Sequence, residues 1–292
     1  MTDLERHFAV LGSPIAHSKS PVLHRAAYAC LCLPWGYEAI EVGSGGLKDF
    51  LESRDDRWHG FSLTMPLKRE ILPLLGATDE LVKLVGAANT VLIDDGRLLG
   101  FNTDIDGVTA ALLEMGLERP SFVRVLGAGA TAASIVTAVA RMGASSVAVS
   151  TRSPGKAKEL ATLAERLGIT LALVGFDRND NERIMDGEGR MPDVVISALP
   201  GGATLDQELA LELRASVPLL DVAYAPWPTP LATSWISAGG RVGSGLSMLV
   251  HQALLQVRIF LNGDANLPLP DEPLVVDAMR YAVGLDPKTT PS

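Results

Sequence analysis

The stretch Val123-Arg-Val-Leu-Gly-Ala-Gly-Ala-Thr-Ala132 sets Gly127, Gly129 and Ala132 at the spacing GxGxxA, behind an apolar run and ahead of an alanine-rich one. That spacing suits a dinucleotide pyrophosphate. The first glycine permits a tight turn and the second lets the backbone approach the phosphates. A small third residue lets strand and helix pack closely beneath a helix N-terminus that favours anions. Gly127, Ala128, Gly129, Ala130 and Thr131 are therefore the candidate pyrophosphate contacts. A ligand-free glycine turn is the plain alternative, and the strand–turn–helix context weighs against it. About 20 residues further on, an NAD-binding chain carries a carboxylate for the ribose hydroxyls. Here residues 147–150 run into Thr151-Arg152-Ser153, with Lys156 following. The Arg152 guanidinium offers a planar fork to a phosphate, and Thr151, Ser153 and Lys156 add donors beside it, which favours NADP. The competing reading is that Arg152 and Lys156 only solvate the start of the next helix.

A redox enzyme also needs groups that hold a substrate carbon and move a proton, and the first third of the chain supplies candidates. Gly12-Ser-Pro-Ile-Ala-His-Ser-Lys-Ser-Pro-Val-Leu-His24 places Ser18 and Ser20 on a loop entering a helix, a geometry suited to a carboxylate. Ser62-Leu-Thr-Met-Pro-Leu-Lys68 brings Thr64 and Lys68 together across one helical turn. Gly86-Ala-Ala-Asn-Thr90 and Gly100-Phe-Asn-Thr-Asp-Ile-Asp-Gly107 end apolar runs in amide or carboxylate groups, as at the crevice of an α/β sheet. Taken singly, Lys68 reads as an exposed helix residue and Asp104 as a helix cap.

These residues are positioned by alternating elements. Residues 8–11, 37–42 and 60–63 read as strands, with helices from Pro21, near 47–53 and from Pro66, the pattern of βαβ units and a mostly parallel sheet. Ser20-Pro21 reads as an N-cap and first-turn pair, and Thr64-Met65-Pro66 as a second helix start of the same kind. A second alternation follows a helix at 106–115: strands at 122–126, 147–150, 169–174, 193–199, 217–222 and 241–242, with helices at 130–142 and 154–167. It predicts an open, doubly wound nucleotide-binding sheet. The polar stretch 176–191 reads as surface loop with one helical turn. Helices near 246–261 and 272–283 follow with no strand between them and are expected to pack on the first half. Residues 286–292 read as a frayed tail.

The fold class expected is thus α/β. An N-terminal α/β substrate domain, residues 1–105 completed by 245–292, joins a doubly wound Rossmann-type NADP-binding domain at 106–244.

The 292 residues are 47% hydrophobic and 20% charged, enough apolar material for a large core. A net charge of -9 argues against a nucleic-acid surface, which needs clustered Lys and Arg. Residues 1–11 mix charges with a short apolar run and resemble neither a secretory leader nor a membrane span. A cytoplasmic protein without a membrane partner is expected. Cys30 and Cys32, two apart, fit neither a CxxC pair nor a zinc site and read as reduced thiols; nothing points to a metal.

Together these segments resemble the shikimate dehydrogenase family over most of the chain. The family's G-x-P-I-x-H-S-x-S-P-x-x-H falls on residues 12–24, its N-V-T-x-P-x-K on 62–68, and its G-A-x-N-T and N-T-D-x-x-G on the segments of Asn89 and Asp104. Its D-x-x-Y-x-P-x-x-T-P-L falls on 221–231 and its G-x-x-M-L-x-x-Q on 245–252.

The resemblance implies that Ser18 and Ser20 bind the substrate carboxylate and that Thr64, Lys68, Asn89, Asp104, Tyr224 and Gln252 hold the rest of the substrate. It implies Val222, Gly245 and Met248 beside the nicotinamide. The reaction implied is reversible NADPH-dependent reduction of 3-dehydroshikimate to shikimate. Lys68 would donate the proton to the developing alkoxide, and Asp104 would orient its amine. His17 reads as structural. Asp79 either touches the nicotinamide edge or caps a helix.

Departures from the family pattern are Ser62 and Leu63 for Asn-Val, Ala130 for the fourth glycine of G-A-G-G-A, and Thr151-Arg152-Ser153 for N-R-T. Ser197-Ala-Leu-Pro-Gly-Gly-Ala203 stands for N-A-T-P-x-G-M, Arg25 for Asn, and Leu261-Asn262 for Trp-Thr.

Two alternatives stand beside this reading. An NAD-preferring quinate/shikimate dehydrogenase would carry an acidic residue where Arg152 stands, and a non-catalytic NADP-binding sensor would lack the lysine or the aspartate. The expected partners are a small-molecule substrate and NADP, in a monomer or homodimer.

Overall fold

A computed structural model describes residues 6–176 and 189–287. Most of the polar stretch 176–191, the start of the chain and the last residues of the tail lie outside them. The chain divides into two compact units, one of the residues through Thr103 with those from Leu249 onward, the other Asp104–Met248.

The first unit opens with β1 (His7–Gly12), a strand buried along all but its first residue. Side chains alternate across a strand, so Phe8 and Val10 enter one core while Ala9 and Leu11 enter another. Around β1 come α1 (Ser20–Cys30), β2 (Gly36–Glu41), α2 (Leu47–Ser53), β3 (Trp58–Leu63), α3 (Leu67–Glu70), β4 (Ala77–Thr78), α4 (Glu80–Val85), β5 (Thr90–Asp94) and β6 (Arg97–Phe101). The strand order is β2-β1-β3-β5-β6-β4.

β2, β1 and β3 are parallel, but β5 runs antiparallel to both β3 and β6. The sheet is therefore mixed. The β5–β6 hairpin turns on Asp95 and Gly96, both at positive φ, the two-residue geometry that matches strand twist.

The two helix starts also differ from expectation. α1 is preceded by Lys19 rather than capped by Ser20, and it is Ser18 Oγ that accepts from Ser20 N at 3.3 Å. After Thr64 only one turn forms, because Pro73 follows in a 3-10 turn and lacks the N–H that a continuing helix requires.

The second unit comprises α5 (Asp104–Glu114), β7 (Phe122–Leu126), α6 (Ala130–Arg141), β8 (Ser146–Ser150), α7 (Pro154–Leu167), β9 (Thr170–Val174), β10 (Val194–Ser197), α8 (Leu211–Ser216), β11 (Leu219–Asp221), α9 (Pro230–Ser237) and β12 (Val242–Ser244). Its strands are all parallel in the order β12-β11-β10-β7-β8-β9. Counted from β7 this is the doubly wound order, and its direction reverses between β7 and β10, where such sheets bind ligands.

The helix α10 (Gly245–Asn262) opens in this unit and continues from Leu249 in the first. There Val250, Ala253, Val257 and Phe260 join Val275 and Met279 of α11 (Glu272–Ala282) in the core over Phe8 and Val10. The C-terminal helices do return to the first unit. Cys30 and Cys32 are exposed free thiols, and Cys32 lies beyond the end of α1 at positive φ.

Candidate active site

At the carboxyl ends of β1 and β3 two loops are tied together. Ser13 N donates to Met65 O at 2.9 Å and Thr64 N to Leu11 O at 2.9 Å. The parallel pairing of β1 with β3 thus places the Ser18–Ser20 loop beside the segment of Thr64 and Lys68. Glu41, at the end of β2, clamps the serine loop by accepting from Ser13 Oγ at 2.6 Å and Ile15 N at 3.1 Å. Behind the loop, His24 Nδ1 donates to Ser20 O at 2.9 Å and its ring stacks on Tyr37 with centroids 3.9 Å apart. Burial lowers the His24 pKa to about 3, so it stays a neutral brace. His17 is exposed on the loop.

Lys68 is half-buried on α3, and its carbonyl accepts from Ala88 N at 2.8 Å. That bond seats the segment of Asn89 next to it. Asn89 is buried, and its Oδ1 accepts from Thr103 N at 2.9 Å and Thr90 Oγ1 at 2.9 Å. Its Nδ2 donates to Thr103 Oγ1 at 2.9 Å and Gln252 Oε1 at 3.4 Å. Gln252 is itself oriented by donating Nε2 to Leu249 O at 2.9 Å.

Asp79 caps α4, accepting Val82 N on Oδ1 at 2.6 Å, and takes Asn102 N on Oδ2 at 3.3 Å. Its carboxylate braces the turn leading to Asp104, the buried first residue of α5. Ser18, Ser20, Thr64, Lys68, Asn89 and Gln252 therefore share one edge of the first unit. Four further residues there, Tyr37, Ser62, Thr103 and Gln256, were not singled out from the sequence. The one available signal was Gln256, a single helical turn beyond Gln252.

In the second unit Gly127 ends β7 at φ +105 and donates its N–H to Ser150 O at 2.8 Å. A side chain there would be strained in that conformation and would press on the Ala198 carbonyl. Gly129 precedes α6, and space is open where its side chain would stand, so an anion can approach the first turn of a twelve-residue helix.

Gly127, Ala128 and Gly129 share a cleft of about 270 Å³ with Thr151, Arg152, Ser153 and Lys156, closed on the other side by Leu199, Thr204 and Asp206. Arg152 is exposed to it, and Thr151 Oγ1 accepts Ser153 N at 3.1 Å, shaping the turn. Ala130 and Thr131 open α6. These residues suit a dinucleotide carrying an extra phosphate.

The loop after β11 carries Val222 and Tyr224, both half-buried. Its ends are joined by Thr229 Oγ1, which donates to Asp221 Oδ2 at 2.6 Å, while Ala223 N donates to Oδ1 at 3.3 Å. Burial raises the Asp221 pKa, and the Thr229, Ala223 and Ser197 donors oppose that rise. Gly245 lies so close to the Val222 carbonyl that any side chain would overlap it, and its N–H reaches Ala223 O at 3.4 Å. Met248, one turn along α10, is buried. Among the described residues no His, Cys, Asp and Glu group is arranged to hold a metal, and no helix is long and apolar enough to cross a membrane.

Residues 10–91 match the family model described as the shikimate dehydrogenase substrate binding domain. The shikimate dehydrogenase (NADP(+)) of Ignicoccus hospitalis is 34% identical over 87% of this chain and 92% of its own. The shikimate dehydrogenase structure of Mycobacterium tuberculosis superposes with a TM-score of 0.79 at 38% identity, covering 95% of this chain and 98% of that one. That of Thermus thermophilus, solved in complex with NADP(H) and shikimate, superposes with a TM-score of 0.76 at 31% identity over 95% and 99%. Likeness at this level along nearly the whole length, joined to the motif residues gathered in both units, establishes that the chain belongs to the shikimate dehydrogenase family.

Proposed function

We propose that this protein is an NADP-dependent shikimate dehydrogenase, an oxidoreductase acting on a CH–OH group. It reduces the ketone of 3-dehydroshikimate to the alcohol of shikimate, reversibly, on the route to chorismate and the aromatic amino acids. The observation that carries the reading is the gathering of Ser18, Ser20, Thr64, Lys68, Asn89 and Gln252 at one edge of the mixed sheet. A hydroxyl loop for a carboxylate and amides for ring hydroxyls stand there beside a half-buried lysine.

NADPH supplies the hydride when bound. The chain's residues do the rest. Gly127 to Thr131 offer backbone N–H groups and a helix N-terminus to the pyrophosphate, while Arg152, Thr151, Ser153 and Lys156 face the cleft as donors for the 2′-phosphate. Val222, Gly245 and Met248 form the apolar support we assign to the nicotinamide. Ser18 and Ser20 fix the substrate carboxylate and Tyr224 adds a hydroxyl to the substrate. Lys68 Nζ gives its proton to the carbonyl oxygen as charge builds there, and Asp104 is the carboxylate assigned to aim that amine. In oxidation the deprotonated Lys68 takes the proton back.

We assign a substrate-binding domain at 1–105 completed by 245–292, an NADP domain at 106–244, a cytoplasmic location and a monomeric or homodimeric state. The decisive assay follows the absorbance of NADPH and of NADH, each with 3-dehydroshikimate and with 3-dehydroquinate. Turnover of 3-dehydroshikimate with NADPH is expected to dominate. Equal or greater turnover with NADH and 3-dehydroquinate would favour a quinate/shikimate dehydrogenase, and no turnover of any pair a non-catalytic sensor.

A further inference from the structure

Gln256 reaches the substrate edge from behind. Its Nε2 donates to the Asn89 main-chain oxygen at 3.2 Å and to Thr90 Oγ1 at 3.0 Å, and its Oε1 accepts from Ser62 Oγ at 2.9 Å. Ser62 in turn accepts from Tyr37 OH at 2.6 Å. All five residues are buried. Hydroxyls can donate in either direction, but a main-chain carbonyl only accepts, so the end of Gln256 facing Asn89 O must be the NH₂ group. Thr90 Oγ1, accepting from that NH₂, directs its own proton to Asn89 Oδ1 at 2.9 Å. Donation then runs one way from Tyr37 through Ser62, Gln256 and Thr90 to Asn89, each bond polarising the next.

We infer that Gln256 is a positioning residue for the substrate. Through Thr90, which shares Asn89 Oδ1 with the Thr103 main-chain N–H, it helps hold the oxygen of the Asn89 amide inward and so presents the NH₂ toward Gln252. Ser62 completes the device, standing where the family pattern has Asn and delivering its proton to Gln256. The inference rests on the reading that the chain reduces 3-dehydroshikimate.

Two variants test it by steady-state kinetics with NADPH and 3-dehydroshikimate. Gln256→Met keeps the volume and removes donor and acceptor. Its KM for 3-dehydroshikimate should rise about five-fold, the usual worth of one hydrogen bond, with a smaller change in kcat and none in the KM for NADPH.

Gln256→Glu is conditional on pH. Protonated, it keeps an O–H for Thr90 and a carbonyl for Ser62; ionised, it has no donor and draws the Thr90 proton away from Asn89. Burial keeps the neighbouring Tyr37 and His24 neutral over this range. The KM ratio of this variant to wild type should therefore approach one at acid pH and climb as pH rises. Should Gln256→Met not fold, the pH profile of the Glu variant's KM ratio carries the test alone. A KM ratio that stays flat with pH, or a folded Met variant with lowered melting temperature and unaltered KM, overturns the inference and leaves the enzyme's function standing. A wild type without activity on 3-dehydroshikimate overturns both.

Discussion

Thr229 Oγ1 donates to Asp221 Oδ2 at 2.6 Å and accepts Ala232 N at 3.0 Å, so one hydroxyl both closes the loop of Val222 and Tyr224 and caps α9. Thr229 and Asp221 are each 2% exposed. Thr229→Val keeps the shape, loses both bonds and leaves a buried carboxylate with one donor fewer. A stability loss of about 1–3 kcal/mol is expected, read as a lower urea midpoint. The KM values for NADPH and 3-dehydroshikimate should rise together, because the loop serves both. An unchanged midpoint would show that the latch contributes nothing.

Lys68 and Asp104 are expected to act as one unit, because an amine that protonates an alkoxide must be aimed. Lys68→Ala should lower turnover by roughly 10²–10⁴-fold, the range general acid catalysis supplies, while shikimate still binds. The double variant with Asp104→Ala should be little worse than Lys68→Ala alone. Near-native turnover in Lys68→Ala at saturating substrate would refute the mechanism, and additive losses would dissolve the pair.

Arg152 lines the cleft beside Gly127 and Gly129 with Thr151, Ser153 and Lys156. A charge-assisted bidentate contact with the 2′-phosphate is worth roughly 1.5–3 kcal/mol, so Arg152→Ala should weaken NADP binding by about one to two orders of magnitude. NAD binding should hardly change. A constant ratio of the two Michaelis constants would remove Arg152 from the site.

His24 makes stability depend on pH. Its folded pKa is lowered by burial to about 3, against about 6.5 in the unfolded chain, and its Nε2 is buried with no partner among the described residues. The unfolded state therefore binds the extra proton between these values. The stabilisation is complete above pH 6.5 and is lost as pH falls, at about 1.4 kcal/mol per pH unit. Denaturant melts from pH 7 down to pH 4.5 should show wild type losing more stability than His24→Phe. Parallel losses in the two proteins would assign the acid sensitivity elsewhere.

The turn between β7 and α6 and the loop of Ser18 and Ser20 were legible in the sequence because their determinants are local. GxGxxA specifies a turn, a close approach and a helix start within ten residues, and the hydroxyls of Ser18 and Ser20 sit on one short segment. The succession of parallel strands in the second unit was legible for the same reason, since each βα step repeats one apolar pattern. The antiparallel run of β5 was not read, although Asp95-Gly96 between apolar residues is a hairpin signal.

What only the tertiary structure decided is the pairing of buried polar groups. Asp79, open from sequence to a nicotinamide role or a cap, proves to cap α4 while bracing Asn102. Ser62 and Gln256 lie 194 positions apart and meet at 2.9 Å. No spacing rule links such residues. Each polar group removed from water must find its partner in three dimensions, and that partner is fixed only when helix α10 packs against the sheet.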